Sequence, residues 1–195
     1  MPKFTFEKAE RVFWHDKVLA KTVLRFIPAR VLPNHITVFR FLATPVVAIL
    51  AFTEQYYVGL FSFLILAFSD VIDGSLARTR DQVTNWGRLY DPIADKILVG
   101  SMVFIIVLKY IDWWTAMLII GLEMVIIVTA WIRVKTGRKV EANRWGKIKM
   151  FLQVLGVTIL LLAIISDWAE LLPFASGTLY LAIAFAIVSL LTYGI

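Results

Sequence analysis

The sequence predicts an all-α integral membrane protein: six transmembrane helices preceded by an amphipathic interfacial helix. Three observations lead there. Of 195 residues, 60% are hydrophobic and 17% charged, with a mean hydropathy of +0.80. The apolar residues gather in runs of about 18 to 22, each long enough as helix to cross the roughly 30 Å hydrocarbon layer. The basic residues then concentrate on one side of those runs. Such a balance excludes disorder and argues against an ordinary soluble domain. The absence of cysteine excludes disulfides, thiolate metal sites and a cysteine nucleophile, and leaves only His15 and His35 for imidazole chemistry. Carboxylates must carry any metal or proton chemistry.

Residues 4–27 alternate apolar side chains such as Phe6, Phe13, Leu19 and Phe26 with Lys8, Arg11, Lys17, Lys21 and Arg25. The segment lacks the compact apolar core and cleavage site of a secretory signal. It reads as a helix lying on the membrane face with its bases among lipid phosphates, although a soluble helix packed on the bundle would show the same pattern. Residues 1–33 thus form a juxtamembrane segment and 34–195 a single six-helix domain. The first crossing is expected from Asn34, a suitable N-cap after Pro33, to Thr53, and the second from Tyr57 to Ala77. The third takes Pro92 to Tyr110, the fourth Trp113 to Ile132, the fifth Trp145 to Ser166 and the sixth Phe174 to Tyr193. Pro45 and Gly156 fall within spans, where kinks and close helix packing are the usual reasons.

The amino-terminal segment with Arg40, the 78–96 connection and the 133–149 connection hold 19 of the 20 Lys and Arg, and Lys109 falls on the other face. Both termini and both basic connections are therefore expected in the cytoplasm. Tyr56, Tyr57, Tyr110, Trp113, Trp114, Trp131, Trp145, Trp168 and Tyr193 cluster near span ends as an interfacial belt. The net charge of +6 describes a face suited to anionic lipid or phosphorylated substrates. Nucleic acid fits poorly, since the bases form no separate domain.

Ionisable groups inside membrane spans are costly and point to function. Asp70 and Asp73 lie one turn apart near the cytoplasmic end of the second span, and Asp91 and Asp95 one turn apart at the start of the third. Antiparallel neighbours joined by a short loop bring both pairs to one depth. Four carboxylates there require countercharge, and oxygen-only ligands suit Mg²⁺ or Mn²⁺, with room for two ions; zinc fits less well without Cys or well-placed His. Gly74, Ala77 and Gly87 keep bulk away from the site, while Arg78, Arg80 and Arg88 offer cations to phosphate oxygens. Metals and arginines around small residues describe a diphosphate site for in-line displacement, with Asp95 placed to take the proton of an attacking hydroxyl.

These residues form the pattern Asp70-x₂-Asp73-Gly74-x₂-Ala77-Arg78-x₈-Gly87-x₃-Asp91-x₃-Asp95, eight fixed positions over 26 residues. The pattern resembles the signature of the CDP-alcohol phosphotransferases, membrane enzymes of phospholipid synthesis, and the likeness extends over nearly the whole chain. The resemblance implies a surface helix, six membrane helices, a metal site open to the cytoplasm and a homodimer. It implies metal binding by Asp70, Asp73, Asp91 and Asp95, with Asp95 also the general base. It further implies that Gly74, Ala77 and Arg78 hold the CDP moiety of CDP-diacylglycerol. Pro33-Asn34-x₂-Thr37-x₂-Arg40 resembles a second family motif whose side chains share one helical face and could line the diphosphate end of the cavity; otherwise Asn34 is a cap and Arg40 snorkels.

The tract from Gly87 to Lys96 and the run Gly146-Lys147-Ile148-Lys149 resemble the family's phosphatidylglycerophosphate synthases, which implies glycerol 3-phosphate as acceptor. Those enzymes usually carry an arginine directly before the fourth-helix glutamate, where this chain has Leu122-Glu123, and a further arginine is displaced to Arg133. Arg133, Lys135 and Lys147 are candidates for the acceptor phosphate; most charges in the 133–149 run are ordinary cytoplasmic anchors. Glu123, mid-span with no local partner, suggests a structural hydrogen bond, and His15 and His35 are incidental. Inositol phosphate is the alternative acceptor. A divalent-cation transporter would need acidic residues continuing towards the opposite face, and a non-catalytic scaffold would not need Asp95.

Overall fold

A computed structural model describes residues 6–7, 13–28, 30–135 and 144–194. It is built almost wholly of helices, with one two-stranded antiparallel pairing in which β1 (Phe6–Glu7) meets β2 (Val83–Thr84), Phe6 opposite Thr84 and Glu7 opposite Val83. The helix expected across 4–27 is shorter than its periodicity suggests. Helix α1 covers Trp14–Thr22, a 3₁₀ turn follows at Leu24–Phe26, and residues 6–7 are extended. Asp16, at the third position of α1, accepts the Phe13 N–H at 2.9 Å and so starts the helix there.

Helix α2 (Pro33–Phe52) begins one residue before Asn34. Proline suits that first helical position, and the His35 imidazole takes over the capping contact by accepting the Leu32 N–H through Nδ1 at 3.3 Å. Asn34 is thereby released from a capping role. Helix α3 (Tyr56–Thr79) is followed by β2 and by α4 (Asn85–Met102), which starts well before Pro92 and contains that proline. A π-helical turn at Val103–Val107 leads into the short α5 (Leu108–Tyr110). Then come α6 (Trp113–Lys135), α7 (Arg144–Ser166), a 3₁₀ turn at Ala169–Leu171 and α8 (Leu172–Gly194).

Among the described residues five helical stretches are long and apolar enough to cross a membrane: Pro33–Phe52, Tyr56–Thr79, Trp113–Arg133, Arg144–Ser166 and Ala169–Thr192. The run expected as the third crossing is not among them, because Arg88, Asp91, Asp95 and Lys96 make α4 too charged and the π turn divides it from α5. The protein is an integral membrane protein by this count.

Three turns share one device. Glu54, Asp81 and Asp167 adopt left-handed backbone (φ 64°, 53° and 53°) just beyond α2, α3 and α7. In each, the next N–H reaches back five residues: Gln55 to Leu50 at 2.9 Å, Gln82 to Ala77 at 2.8 Å and Trp168 to Ala163 at 3.0 Å. These are Schellman closures made with acidic residues where glycine is usual.

Contacts divide the chain into two units, residues 1–49 with 61–98 and residues 50–60 with 99–195. The first buries Val47, Phe63, Leu66, Leu76, Ala94 and Leu98 around a polar centre. The second is packed from Met102, Ile106, Ile119, Val157, Leu160 and Leu179, with α7 against α8. There Gly156 is required by proximity, since a Cβ would stand 2.8 Å from Leu179 Cγ. Phe61, Ile65, Phe151, Phe174 and Leu181 point outward, as a lipid-facing surface should.

Candidate active site

The polar centre of the first unit is built by three helices. From α2 come Asn34, Thr37 and Arg40, spaced three apart so that all face inward, and all are buried. From α3 come Ser69, Asp70 and Asp73, and from α4 come Asp91 and Asp95. The Arg40 guanidinium is fully buried among the carboxylates. Nη1 donates to Asp70 Oδ1 at 2.9 Å and Asp95 Oδ1 at 3.2 Å, Nη2 to Asp73 Oδ2 at 2.7 Å, and Nε to Ser69 Oγ at 3.2 Å. Thr37 directs its hydroxyl proton to Asp91 Oδ1 at 2.6 Å, with Asp73 Oδ2 at 3.4 Å. All four signature aspartates therefore join one network. Arg40, expected to line the diphosphate end of the cavity or to snorkel, stands inside the quartet, because clustered carboxylates away from water require a cation.

A second network adjoins Asp91. Gly87 N–H donates to Thr84 Oγ1 at 2.9 Å, so the Thr84 hydroxyl proton goes to Asn34 Oδ1, also at 2.9 Å. This fixes the amide orientation and leaves Asn34 Nδ2 buried without a partner. A Cβ at Gly87 would stand 3.1 Å from Thr84 Oγ1, 3.2 Å from Asn34 Oδ1 and 3.3 Å from Asp91 Oδ2, so any larger residue would press on all three.

Among the described residues no set of three acidic or imidazole groups is arranged as a ready metal shell, since Arg40 gathers three of the aspartates. The donor chemistry nevertheless fits a hard divalent cation. Four carboxylates face one guanidinium, a formal excess of negative charge, and Asp73 Oδ1 is buried with no hydrogen-bond partner.

The other candidates separate. Gly74 lies beneath Arg78, a Cβ there falling 3.1 Å from Arg78 Nη1. Arg80 donates instead to the backbone carbonyls of Ile27 at 2.7 Å, Pro28 at 3.3 Å and Leu24 at 3.4 Å, so it fastens the amino-terminal segment rather than offering itself to phosphate. Ala77 is half-buried on α3. The side chains of His15, Arg88 and Lys135, together with residues 136–143, lie outside the described residues. Lys147 is exposed at the start of α7 and Arg133 is half-buried near the end of α6, both in the second unit.

Glu123 does have partners. It pairs with Lys149 and accepts from Gln153 Nε2 at 3.0 Å, joining α6 to α7. Lys149, read as one anchor among many in a basic run, is buried. Sequence reasoning also passed over Asp16, Ser69 and Thr84. A serine directly before Asp70 in an apolar span was a usable signal; for Thr84 in a loop and Asp16 in a basic helix there was none.

A family match gives this geometry its class. The profile of the CDP-alcohol phosphatidyltransferase family covers residues 30–190, and the chain belongs to that family. It is 32% identical to the CDP-diacylglycerol–glycerol-3-phosphate 3-phosphatidyltransferase of Bacillus subtilis (strain 168), over 81% of this chain and 90% of that one. Proteins of the same name from Rickettsia typhi and Salmonella typhimurium are 31% and 33% identical, each over 67% of this chain and 76% of theirs. The protein is thus a membrane-embedded transferase of phospholipid biosynthesis.

Proposed function

We propose that the protein transfers the phosphatidyl group of CDP-diacylglycerol to glycerol 3-phosphate and releases CMP, at a site facing the cytoplasm. The observation that carries this reading is the gathering of Asp70, Asp73, Asp91 and Asp95 from two helices into one network around the buried Arg40, with more carboxylates than cations and an orphaned oxygen on Asp73. The relatives' shared name supplies the acceptor. The charged α4 with its π turn and α5 then serves as the sixth crossing, its carboxylates Asp91 and Asp95 turned to the polar network and Ile93, Ile97 and Phe104 outward, while α1 and the 3₁₀ turn after it lie at the interface with Trp14, Val18 and Phe26 outward.

In this reading the four aspartates hold Mg²⁺ or Mn²⁺, which when bound neutralises diphosphate charge and stabilises the leaving phosphate. Asn34 Nδ2 donates to a substrate oxygen, its direction set by Thr84. Arg78 and the open backbone at Gly74 receive the CDP end, while the acyl chains remain in the bilayer. Asp95 takes the proton of the acceptor hydroxyl as that oxygen bonds to the phosphorus bearing diacylglycerol; the bond from that phosphorus to the CMP oxygen breaks, and CMP leaves with the electron pair. The proton then passes to solvent. Arg133, Lys135 and Lys147 are assigned to the acceptor phosphate, and a homodimer is the assembly in which the enzyme works.

The test supplies purified protein with CDP-diacylglycerol, Mg²⁺ or Mn²⁺, and labelled glycerol 3-phosphate or inositol phosphate in competition. Label in lipid from glycerol 3-phosphate with equimolar CMP is the expected result. Label from inositol phosphate alone overturns the acceptor, and no CMP with either overturns the reaction.

A further inference from the structure

Asp16, one of three acids with Glu7 and Glu10 in a segment dominated by bases, has a fully buried side chain. Its carboxylate accepts four hydrogen bonds: from Phe13 N at 2.9 Å, Ser75 Oγ at 2.6 Å, Arg78 Nε at 2.9 Å and Arg78 Nη2 at 2.8 Å. The two from Arg78 are a side-on fork, which fixes the plane of the guanidinium as well as its position. The guanidinium carbon also stands over the Phe13 ring, 5.6 Å from the ring centroid. With that edge held, the Nη1 end projects over Gly74, next in sequence to the signature Asp73.

We propose that Asp16 is a positioning residue for the transfer reaction: it holds the Nε–Nη2 edge of Arg78 so that the Nη1 end is presented above Gly74 to the diphosphate of CDP-diacylglycerol. The inference rests on the reading of Arg78 and Gly74 as part of the CDP subsite. Simple fastening of the amino-terminal segment does not account for the geometry, because Arg80 on three backbone carbonyls and the β1–β2 pairing already fasten it. A tether also has no need of a side-on fork on a signature arginine. The juxtamembrane helix therefore contributes to substrate recognition through a residue that never touches substrate.

The experiment measures kcat and KM for both substrates on the purified full-length protein, comparing Asp16→Asn, Arg78→Ala and the double variant. Asp16→Asn is expected to raise KM for CDP-diacylglycerol about tenfold, one pairing in a charge-assisted site, while KM for glycerol 3-phosphate stays within about twofold. In the Arg78→Ala background Asp16→Asn should add nothing. Effects that multiply in the double variant overturn the proposal, because Asp16 would then act independently of Arg78. An impaired Arg78→Ala beside a normal Asp16→Asn also overturns it and leaves the CDP subsite standing. A normal lipid KM in Arg78→Ala overturns both. If Asp16→Asn is not recovered folded, Arg78→Lys reads the same contact from the other side: it keeps the charge and loses the fork, so an unchanged lipid KM overturns the proposal.

Discussion

Each unit of the molecule buries a cation among carboxylates, and the two differ in balance. In the first, Arg40 faces Asp70, Asp73 and Asp95, while Asp91 is held through Thr37. In the second, Lys149 faces Glu123 and, among the described residues, no other carboxylate, with Gln153 supplying a further donor. The pair is closed in charge, one against one, and its effect is to join two apolar helices. The quartet is open: each site strands one carboxylate oxygen, Asp73 Oδ1 in the first and Glu123 Oε2 in the second, but only the first sets four carboxylates against one guanidinium, and that excess calls for a ligand. Burying charge is expensive in both places. Only an unbalanced cluster signals that the cost serves chemistry.

The sharpest way to break this comparison is Arg40→Met. Removing one partner of a buried ion pair costs about 3–5 kcal/mol, and here three carboxylates lose theirs, so we expect loss of activity and a thermal midpoint far below that of the parent protein. Added Mn²⁺ should raise the midpoint of the parent protein, as any ligand of the folded state does, and raise it much less in Asp73→Asn. A parent midpoint indifferent to Mg²⁺ and Mn²⁺ would mean that the excess charge is not a metal site. Next comes Asp95→Asn, which preserves shape. A general base contributes about 10²–10⁴-fold, so turnover should fall by that factor with the folded protein intact.

The closed pair predicts a different pattern. Lys149→Met alone leaves Glu123 buried and unpaired, at a cost of about 3–5 kcal/mol. The double variant Glu123→Leu, Lys149→Met should recover most of that stability, since hydrophobic replacement of a whole buried pair is often neutral or better. Thermal midpoints of the two variants decide it. A double variant that is stable but inactive would place Glu123 in the chemistry and erase the distinction between the units.

How much of this was legible in the sequence follows from the same contrast. The aspartates could be read because acids at turn spacing in apolar runs are conspicuous, and helix geometry then dictates that they converge. The apolar stretches gave five crossing-length helices for the same reason. Arg40 was visible as a motif residue, but its seat among the carboxylates depends on how α2 meets α3 and α4, which no local spacing encodes. Glu123 looked solitary because Lys149 lies 26 residues away, hidden in a run of bases. The amino-terminal segment misled most. Its periodicity suggested a long amphipathic helix, whereas the inward face of α1 carries Asp16, and the residue that organises it, Arg78, is remote in the chain.

Asp16 offers a smaller effect with a defined pH window. The Arg78 guanidinium, with Ser75 and the Phe13 N–H, holds its carboxyl well below the usual carboxylate range, against the opposing pull of burial. A carboxyl with a depressed folded pKa contributes stability that is fully present above its unfolded value, about 4, and lost as pH falls towards the folded one. The thermal midpoint of the parent protein should therefore decline as pH drops from about 5 towards 3 more steeply than that of Asp16→Asn. Parallel declines would mean that the Asp16 clamp contributes nothing to the first unit.

The smallest effect is expected at Asp112, where the second unit uses an acid for purely local ends. Its carboxylate accepts Thr115 N–H at 2.7 Å and the Thr115 hydroxyl at 2.6 Å, capping the start of α6, and those two bonds hold its pKa below the ordinary value. Unlike the buried Asp73 and Asp95 it is only half-buried, so no countercharge is demanded. Asp112→Ala should lower the thermal midpoint slightly and leave KM for both substrates unchanged, and Asp112→Ser, which retains a capping oxygen, should recover most of the loss. A KM shift without a stability change would show that an acid of the second unit serves the reaction after all, and charge balance would no longer distinguish the two halves.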